Sequence, residues 1–414
     1  MFVDYLQCSS FQEIHKQLFA GLSRLKSLFP QDRSSRILLK PNLNSNMNAL
    51  TGNTTDLRIM AALILFLKEQ GYTSITIAEG TNSGFYRTGI SVISRLKVDE
   101  LAKYYGVHCI DLNQSKPVFI QFENGLSAGV AKECMEADFF INLPKLKTHF
   151  EAGMSVCLKN LIGCLVGQEN KKKTHDSLAA NIVHLTENIN PHLHVIDAIW
   201  AMEGLGPTKG TPVKTNCVIL GDDPYLLDLY AAKFAGVQHH TIAPLVVAEK
   251  KGFLTKRHHE FLHSKPPAPE VKPFAPPKAG PIAEFIHHPK RQKFFLAIRN
   301  TRFFNALCNT GLVGHLLYLT NLRQDVFINE EMKLNALIFH PEKCSFCGRC
   351  QEYCPVGLTL PESFANKKMK HCIQCLYCFC ICPEKAIELD GELGYFEEQI
   401  KQYDEILRNT GNIK

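Results

Sequence analysis

The residue types with the plainest chemistry crowd into the last fifth of this 414-residue chain. Cysteines stand at Cys344, Cys347, Cys350 and Cys354, and again at Cys372, Cys375, Cys378 and Cys382. Each set reads C-x2-C-x2-C-x3-C-P, closed by Pro355 in the first and Pro383 in the second. Two-residue gaps let a tight turn wrap three sulfurs around one face of a compact inorganic centre. The proline stops the chain from continuing as a regular helix and turns the fourth sulfur outward. Soft thiolates at this density select iron–sulfur clusters or zinc over hard cations. Structural zinc sites pair two short Cys–Cys steps across a longer gap, a different pattern. A disulfide framework would suit an oxidising compartment, and nothing marks this chain as secreted.

The doubled run resembles that of bacterial-type 2×(4Fe-4S) ferredoxins. The resemblance implies that the fourth cysteine of each run serves the other cluster. Cys344, Cys347, Cys350 and Cys382 would then hold one cluster, and Cys372, Cys375, Cys378 and Cys354 the other. Strand-like segments at 336–340 and 386–389 flank the runs, as such a module requires. Cys380 breaks no spacing and reads as a packed spectator.

A second candidate site lies far upstream. Lys40, Lys145 and Lys147 fall at or just past the ends of strand-like runs, and Lys159 follows in a helix that also carries Asn160. Ligands of open α/β sheets bind beyond the strand carboxyl ends. Four lysines gathered there, with Asn42 and Asn160, would bind a phosphate or carboxylate, each ammonium acting as a compact point charge. The competing reading is four solvated lysines on unrelated loops. His149, His175 and Asp197 are candidate catalytic groups, either for general acid–base work or as a two-histidine, one-carboxylate metal set; simple packing is the alternative for each histidine. Lys171 to Lys173 read as an exposed loop, one that could also guide an anionic substrate toward the same crevice, and 80–84 as a loop that could cradle an anion.

The elements that must position these groups alternate. Strand-like runs at 36–40, 74–78, 107–111, 138–143, 194–199 and 216–220 are separated mostly by helical stretches, one of them at 57–70 ending at Gly71. That order implies an α/β layered domain with a mostly parallel sheet over about 1–263. Seven of the sixteen residues from Pro266 to Pro281 are proline, so 264–281 reads as a stiff linker. A helical bridge at 282–335, a small α+β ferredoxin-like domain at 336–390 and a C-terminal helix at 391–414 complete the expected organisation. The bridge's basic start and paired phenylalanines could also suit a membrane surface or RNA, though domain packing explains them as well.

Composition sets bounds. A hydrophobic fraction of 45% and a charged fraction of 21% are ordinary for a globular protein, and a net charge of +6 is small for the length. No obligatory nucleic-acid partner is expected. The N-terminus lacks the pattern of a secretory leader, and the longest apolar run is too short to span a bilayer. A cytoplasmic location follows as the expectation.

Several upstream segments also resemble one family, the domain of unknown function 362. They are Ile37-Leu-Leu-Lys40-Pro-Asn42-Leu, Ala78-Glu-Gly80, Asn142-Leu-Pro144-Lys145-Leu-Lys147-Thr-His149, Leu158-Lys159-Asn160-Leu-Ile-Gly163, Val195-Ile-Asp197, Met202-Glu-Gly204-Leu-Gly206-Pro207 and 221–228. The resemblance covers about 35–240 and implies an α/β architecture in an iron–sulfur context, but names no substrate. The expected protein is an oxidoreductase with two 4Fe-4S clusters, an external electron donor or acceptor protein, and a small anionic substrate or second cofactor, a flavin or metal among them. The alternatives are an electron-transfer or maturation partner without a substrate of its own, and a non-redox enzyme whose ferredoxin part is structural.

Overall fold

Short runs rich in isoleucine, leucine and valine are too brief for helices, and they pair edge to edge instead. The computed structural model describes residues 1–82, 85, 88–265, 271–277, 301, 328–365, 369 and 371–409. The expected proline-rich linker and helical bridge lie largely outside these residues. The strands are β1 (Val3–Gln7), β2 (Ile37–Pro41), β3 (Ile75–Glu79), β4 (His108–Asp111), β5 (Pro117–Gln121), β6 (Ser127–Ala131), β7 (Phe139–Leu143), β8 (Lys145–His149), β9 (Gly153–Ser155), β10 (Leu193–Glu203), β11 (Thr211–Gly221), β12 (Lys333–Phe339) and β13 (Ile387–Glu392).

Nine of them form one sheet in the order β1-β11-β10-β7-β2-β3-β4, with β8 on β10 and β9 on β8. The strands from β10 through β7, β2 and β3 to β4 run parallel, while β1 and β11 add an antiparallel edge. Helices cover both faces, giving the layered α/β domain expected from the alternating pattern. β7 and β8 follow β10 in succession, broken only at Pro144, whose carbonyl accepts the Asp197 N–H at 2.8 Å. Lys145–His149 is therefore a strand, not the strand-end loop that its polar residues suggest.

The helix Leu57–Glu69 shows how local chemistry sets element ends. Asp56 caps it by accepting the Arg58 N–H at 2.9 Å, and Gly71 takes a φ of +89° just beyond it. That left-handed step lets Tyr72 N–H reach back to Leu67 O at 3.0 Å and closes the helix.

The cysteine-rich module is built as a duplicate. β12 and β13 pair antiparallel. The short helices Arg349–Glu352 and Tyr377–Ile381 follow left-handed residues Gly348 and Leu376 at matching places in the two runs. Phe346 and Gln374 share a φ of +53°.

This module packs directly on the sheet domain, and one apolar cluster runs from Leu18 and Leu63 through to Tyr353, Tyr377 and Phe396. Tyrosine hydroxyls make the polar joints. Tyr377 accepts the Leu57 N–H at 3.3 Å, Tyr403 accepts the Asn48 N–H at 3.0 Å, and Tyr353 accepts from the Trp200 indole at 3.3 Å. Arg58, fully buried, lies 4.0 Å over the Tyr353 ring and pairs with Asp56 at 2.7 Å. Burial alone would raise the Asp56 carboxyl, but the Arg58 charge holds it below its ordinary value. Removing that guanidinium strands a buried carboxylate. Arg58→Ala should therefore cost roughly 3–5 kcal/mol in urea unfolding of the cluster-loaded protein; a loss below about 1 kcal/mol would mean that water reaches Asp56.

Candidate functional site

Two sets of groups carry the chemistry. In the first, Cys344, Cys347, Cys350 and Cys382 line a single small cavity together with Phe339, Phe364 and Ile387. Three sulfurs come from the first run and the fourth from the second, as the crossed pairing requires. Cys354 lies on the other side, close enough to Cys372, Cys375 and Cys378 to act on the charge of each. Backbone N–H groups point at the sulfurs in matched pairs. Phe346 N–H reaches Cys344 at 3.3 Å and Gln374 N–H reaches Cys372 at 3.4 Å. Leu358 and Ala386 do the same for Cys354 and Cys382, at 3.4 and 3.3 Å. Such donors favour thiolates and tune the centre they hold.

A zinc ion would draw its four sulfurs to within about 3.8 Å of one another, given Zn–S bonds of about 2.3 Å. Among the described residues, the one group of three or more ligands within 4.8 Å contains none of these cysteines. Cys380 donates nothing to either centre; its sulfur accepts the Asn48 side-chain N–H at 3.4 Å.

The second set surrounds a cavity of about 420 Å³ at the carboxyl ends of β2, β3 and β8. Lys147, His149, Lys159 and His175 all line it, with Asn42 and Asn160. Lys40 and Lys145 do not, so two of the four expected lysines converge there and two are spent elsewhere. Lys40 pairs with Glu79 at 2.9 Å and Lys145 with Asp197 at 2.8 Å, all four groups buried. Asp197 also accepts the Asp56 and Ile199 N–H groups, so it stands apart from the two histidines and forms no metal set with them.

Lys147 is bound differently. Fully buried, it donates to Asn42 Oδ1 at 2.8 Å, Asn44 Oδ1 at 2.7 Å and the Asn53 carbonyl, all neutral oxygens. Burial, and then the charges of Lys145 and Lys159, push its ammonium well below the ordinary lysine range. Lys159 is pushed down to about 8, chiefly by burial. The asparagines are committed to one another: Asn42 donates to Asn160 and Asn160 to Asn142, each at 2.8 Å. They set the cavity wall more than they offer free donors.

The two histidines have different partners. His149 Nδ1 accepts the Glu151 and Ala152 N–H groups at 3.0 and 3.3 Å, which leaves the ring proton on Nε2. Burial, followed by the Lys159 charge, drives the His149 pKa well down, so this ring is neutral. His175 Nδ1 sits 3.5 Å from Glu151. Burial would raise Glu151, but His175, His149 and Lys159 outweigh it and hold the carboxylate ionised.

Two lining residues, Glu79 and Gln168, were given no site role by the sequence, and a third, Lys171, was read as part of an exposed loop. Glu79 sits inside a noted motif, but its reach to Lys40 shows only in three dimensions. Gln168 is buried with neither amide atom partnered. Lys171 belongs to the helix Gly167–Thr174, not an exposed loop, and donates to Gly80 O, Thr81 O and Asn113 Oδ1. Glycine is required at one point of the wall: a Cβ on Gly163 would lie 2.0 Å from Glu79 Oε1 and 2.7 Å from Lys40 Nζ.

Residues 37–233 match the family described as "Domain of unknown function (DUF362)", and residues 336–383 match the 4Fe-4S dicluster domain. A thylakoid-associated protein of Synechocystis sp. is 27% identical over 234 residues, 52% of this chain and 68% of that relative. The pyruvate synthase subunit PorD of Thermotoga maritima is 34% identical over 64 residues, 15% of this chain and 65% of that one. Among solved structures, the lactate racemase apoprotein of Thermoanaerobacterium thermosaccharolyticum aligns with 12% identity and a TM-score of 0.30, over 46% of this chain and 50% of that one. A Thermotoga maritima structural-genomics protein aligns with 14% identity and a TM-score of 0.31, over 50% and 55%. The chain thus spans about half the length of the solved structures it matches.

The tight fit at Gly163 gives a direct test of the wall. Gly163→Ala should separate Glu79 from Lys40 and cost about 3 kcal/mol, the scale of a broken buried pair. Thermal unfolding reads the loss, and a melting temperature within a degree of the parent would show that the wall yields freely.

Proposed function

From a chain that joins a DUF362 domain to a 4Fe-4S dicluster domain, we propose a cytoplasmic, ferredoxin-linked oxidoreductase that holds two 4Fe-4S clusters and acts on a small anionic molecule in the lysine-lined cavity. Bound at the two crossed thiolate sets, such clusters supply one-electron transfer and no hydride. The iron–sulfur, electron-transfer character stands on the dicluster match and the cysteine pattern. No helix among the described residues is long and apolar enough to cross a membrane.

One observation carries the enzymatic reading. The cavity of about 420 Å³ is lined by Asn42 and Asn44, while Leu43 and Asn46 line a second cavity that reaches Cys375. A single strand of backbone therefore separates the candidate substrate site from the cysteine-bearing module. Lys147 and Lys159 supply positive charge to an anion. Lys147 gains most from one, because its present partners are all neutral. His149 offers a fixed Nε2–H donor. His175, steadied by Glu151, is the group assigned to give or take the proton that accompanies electron transfer. Asp197 is assigned a positioning role through Lys145.

At the opposite end, Cys347 is exposed beside Phe346, which is 68% exposed. That face suits the external redox protein. It also favours a second reading, in which the chain only relays electrons and turns over nothing itself.

Anaerobic reconstitution should load about eight iron atoms per chain, from two four-iron centres; bound zinc with almost no iron would reverse the assignment. Cys354→Ser should remove about half of that iron and leave the Cys344, Cys347, Cys350 and Cys382 centre in the spectrum of the reduced protein. Loss of that centre instead would refute the crossed ligation.

Inorganic phosphate or a small dicarboxylate should bind at least tenfold more weakly to Lys147→Met and Lys159→Ala. An ammonium whose pKa is lowered to about 8 is charged below that pH and neutral above it. Affinity should thus fall roughly tenfold from pH 7 to pH 9, and Lys159→Arg should remove most of the fall. Binding indifferent to both substitutions and to pH would leave the relay reading in possession.

A further inference from the structure

Away from both sites, three ligand-bearing side chains meet on the surface of the sheet domain. His239 lies in the turn His239–Thr241, Glu249 in the helix Ala243–Lys250 and His259 in the helix Lys256–His263. One ligand atom from each falls within 4.8 Å of the other two. The His239 and His259 rings stand edge to face, 5.3 Å between centroids.

The backbones behind them are fixed. The helix Ala243–Lys250 buries Pro244, Leu245 and Ala248, which leaves Glu249 on the outer face. Gly252, at a φ of +80°, turns the chain back toward the next helix, where its N–H closes on Glu249 O at 3.1 Å. His258 is already committed, since its Nδ1 accepts the Thr255 N–H at 3.0 Å and its Nε2 faces Asp223 at 3.1 Å. That anchor sets the start of the helix and leaves the neighbouring His259 to face His239.

We propose that His239, Glu249 and His259 form a mononuclear site for a divalent transition-metal ion of the zinc type, with one position left to water. Two imidazoles and a carboxylate are borderline ligands that suit zinc, copper or nickel and disfavour calcium and magnesium. Metal–ligand bonds of about 2.0–2.2 Å place donor atoms about 3.3 Å apart, so the three groups, already within 4.8 Å of one another, need only draw together to close on an ion. Neutral imidazole is the form that ligates. The bound ion would staple the turn to both helices. That turn also abuts the β8–β9 hairpin, where a Cβ on Gly153 would come within 2.7 Å of Thr241 O.

Zinc binding to the anaerobic, cluster-loaded full chain tests the proposal, with equilibrium dialysis and metal counting as the readout. The parent should bind one zinc more than His239→Ala or His259→Ala, and each variant should raise the dissociation constant at least tenfold while keeping its iron content. His240→Ala should bind like the parent, because His240 is outside the ligand group. A crystal soaked in zinc should show anomalous density at the zinc edge between the three side chains. Equal zinc uptake by the parent and both variants would overturn the site, as would an equal loss in His240→Ala. Zinc lodged on vacated cysteines would be insensitive to the histidine changes and would count against it.

Discussion

Two ammonium groups on one strand hold the segment that both halves of the molecule share. Lys145 and Lys147 are two residues apart on β8, so their side chains leave the same face of the strand while Leu146 enters the core on the other. Lys145 donates to Ala49 O at 3.3 Å; Lys147 donates to Asn42, Asn44 and Asn53. The loop from 42 to 56 is thus tied to the sheet from within. From the outside the same loop, at Asn48, meets Cys380 of the cysteine-rich module and Tyr403 of the helix that follows it, and Leu57 just beyond the loop meets Tyr377. Any movement of that loop is felt on both sides, and its first residues form the wall between the two cavities.

The charges that tie it down were costly to bury. Moving one ion into the interior costs several kcal/mol even after relaxation, so a buried pair is poor evidence of net stability. Arg58, Asp56, Asp197 and Lys145 are all fully buried, and Asp56 N–H also donates to Asp197 at 2.7 Å. Their service is geometric. Together they fix where the helix Leu57–Glu69 begins, where the Tyr353 ring rests and how β8 lies on β10. Lys147 differs in having no carboxylate against it, and it lines the cavity whereas the internally balanced Lys145 does not. This contrast is what assigns Lys147, and not Lys145, to the proposed anion site.

How much of this was legible depended on the range of the interaction. The cysteine runs carry their tight turns in local spacing, whereas the crossed grouping around Cys382 was implied only by the resemblance to two-cluster ferredoxins, because Cys350 and Cys382 are far apart in the chain. The parallel strands announced themselves as short apolar runs, and Ile37–Pro41 and Ile75–Glu79 fall within a residue of the reading. Lys145–His149 hid as a strand because its outward positions are lysine and histidine, which bind the loop instead of facing solvent. The pairing of Lys40 with Glu79, or of Lys145 with Asp197, depends on register between strands distant in sequence. No one-dimensional pattern reports it. The direct seating of the cysteine-rich module was missed for the same reason: isolated tyrosines look alike until their hydroxyls find a backbone partner.

The duplicated module repeats its turns in the backbone and is unequal in surface. At one site the residues after the second cysteine are Gly348 and Arg349, with Phe346 just before bared to solvent. At the matching place in the other run stand Leu376 and Tyr377, buried against the sheet domain. Identical turns can hold identical centres, yet only one set of thiolates is offered outward and only the other is pressed toward the cavity wall. A freely diffusing ferredoxin has no need of such a bias, since either face may meet a partner. Under the proposed enzymatic reading, fixing one face against Leu43 and Asn46 makes the neighbouring cavity, and not a passing protein, the inner terminus.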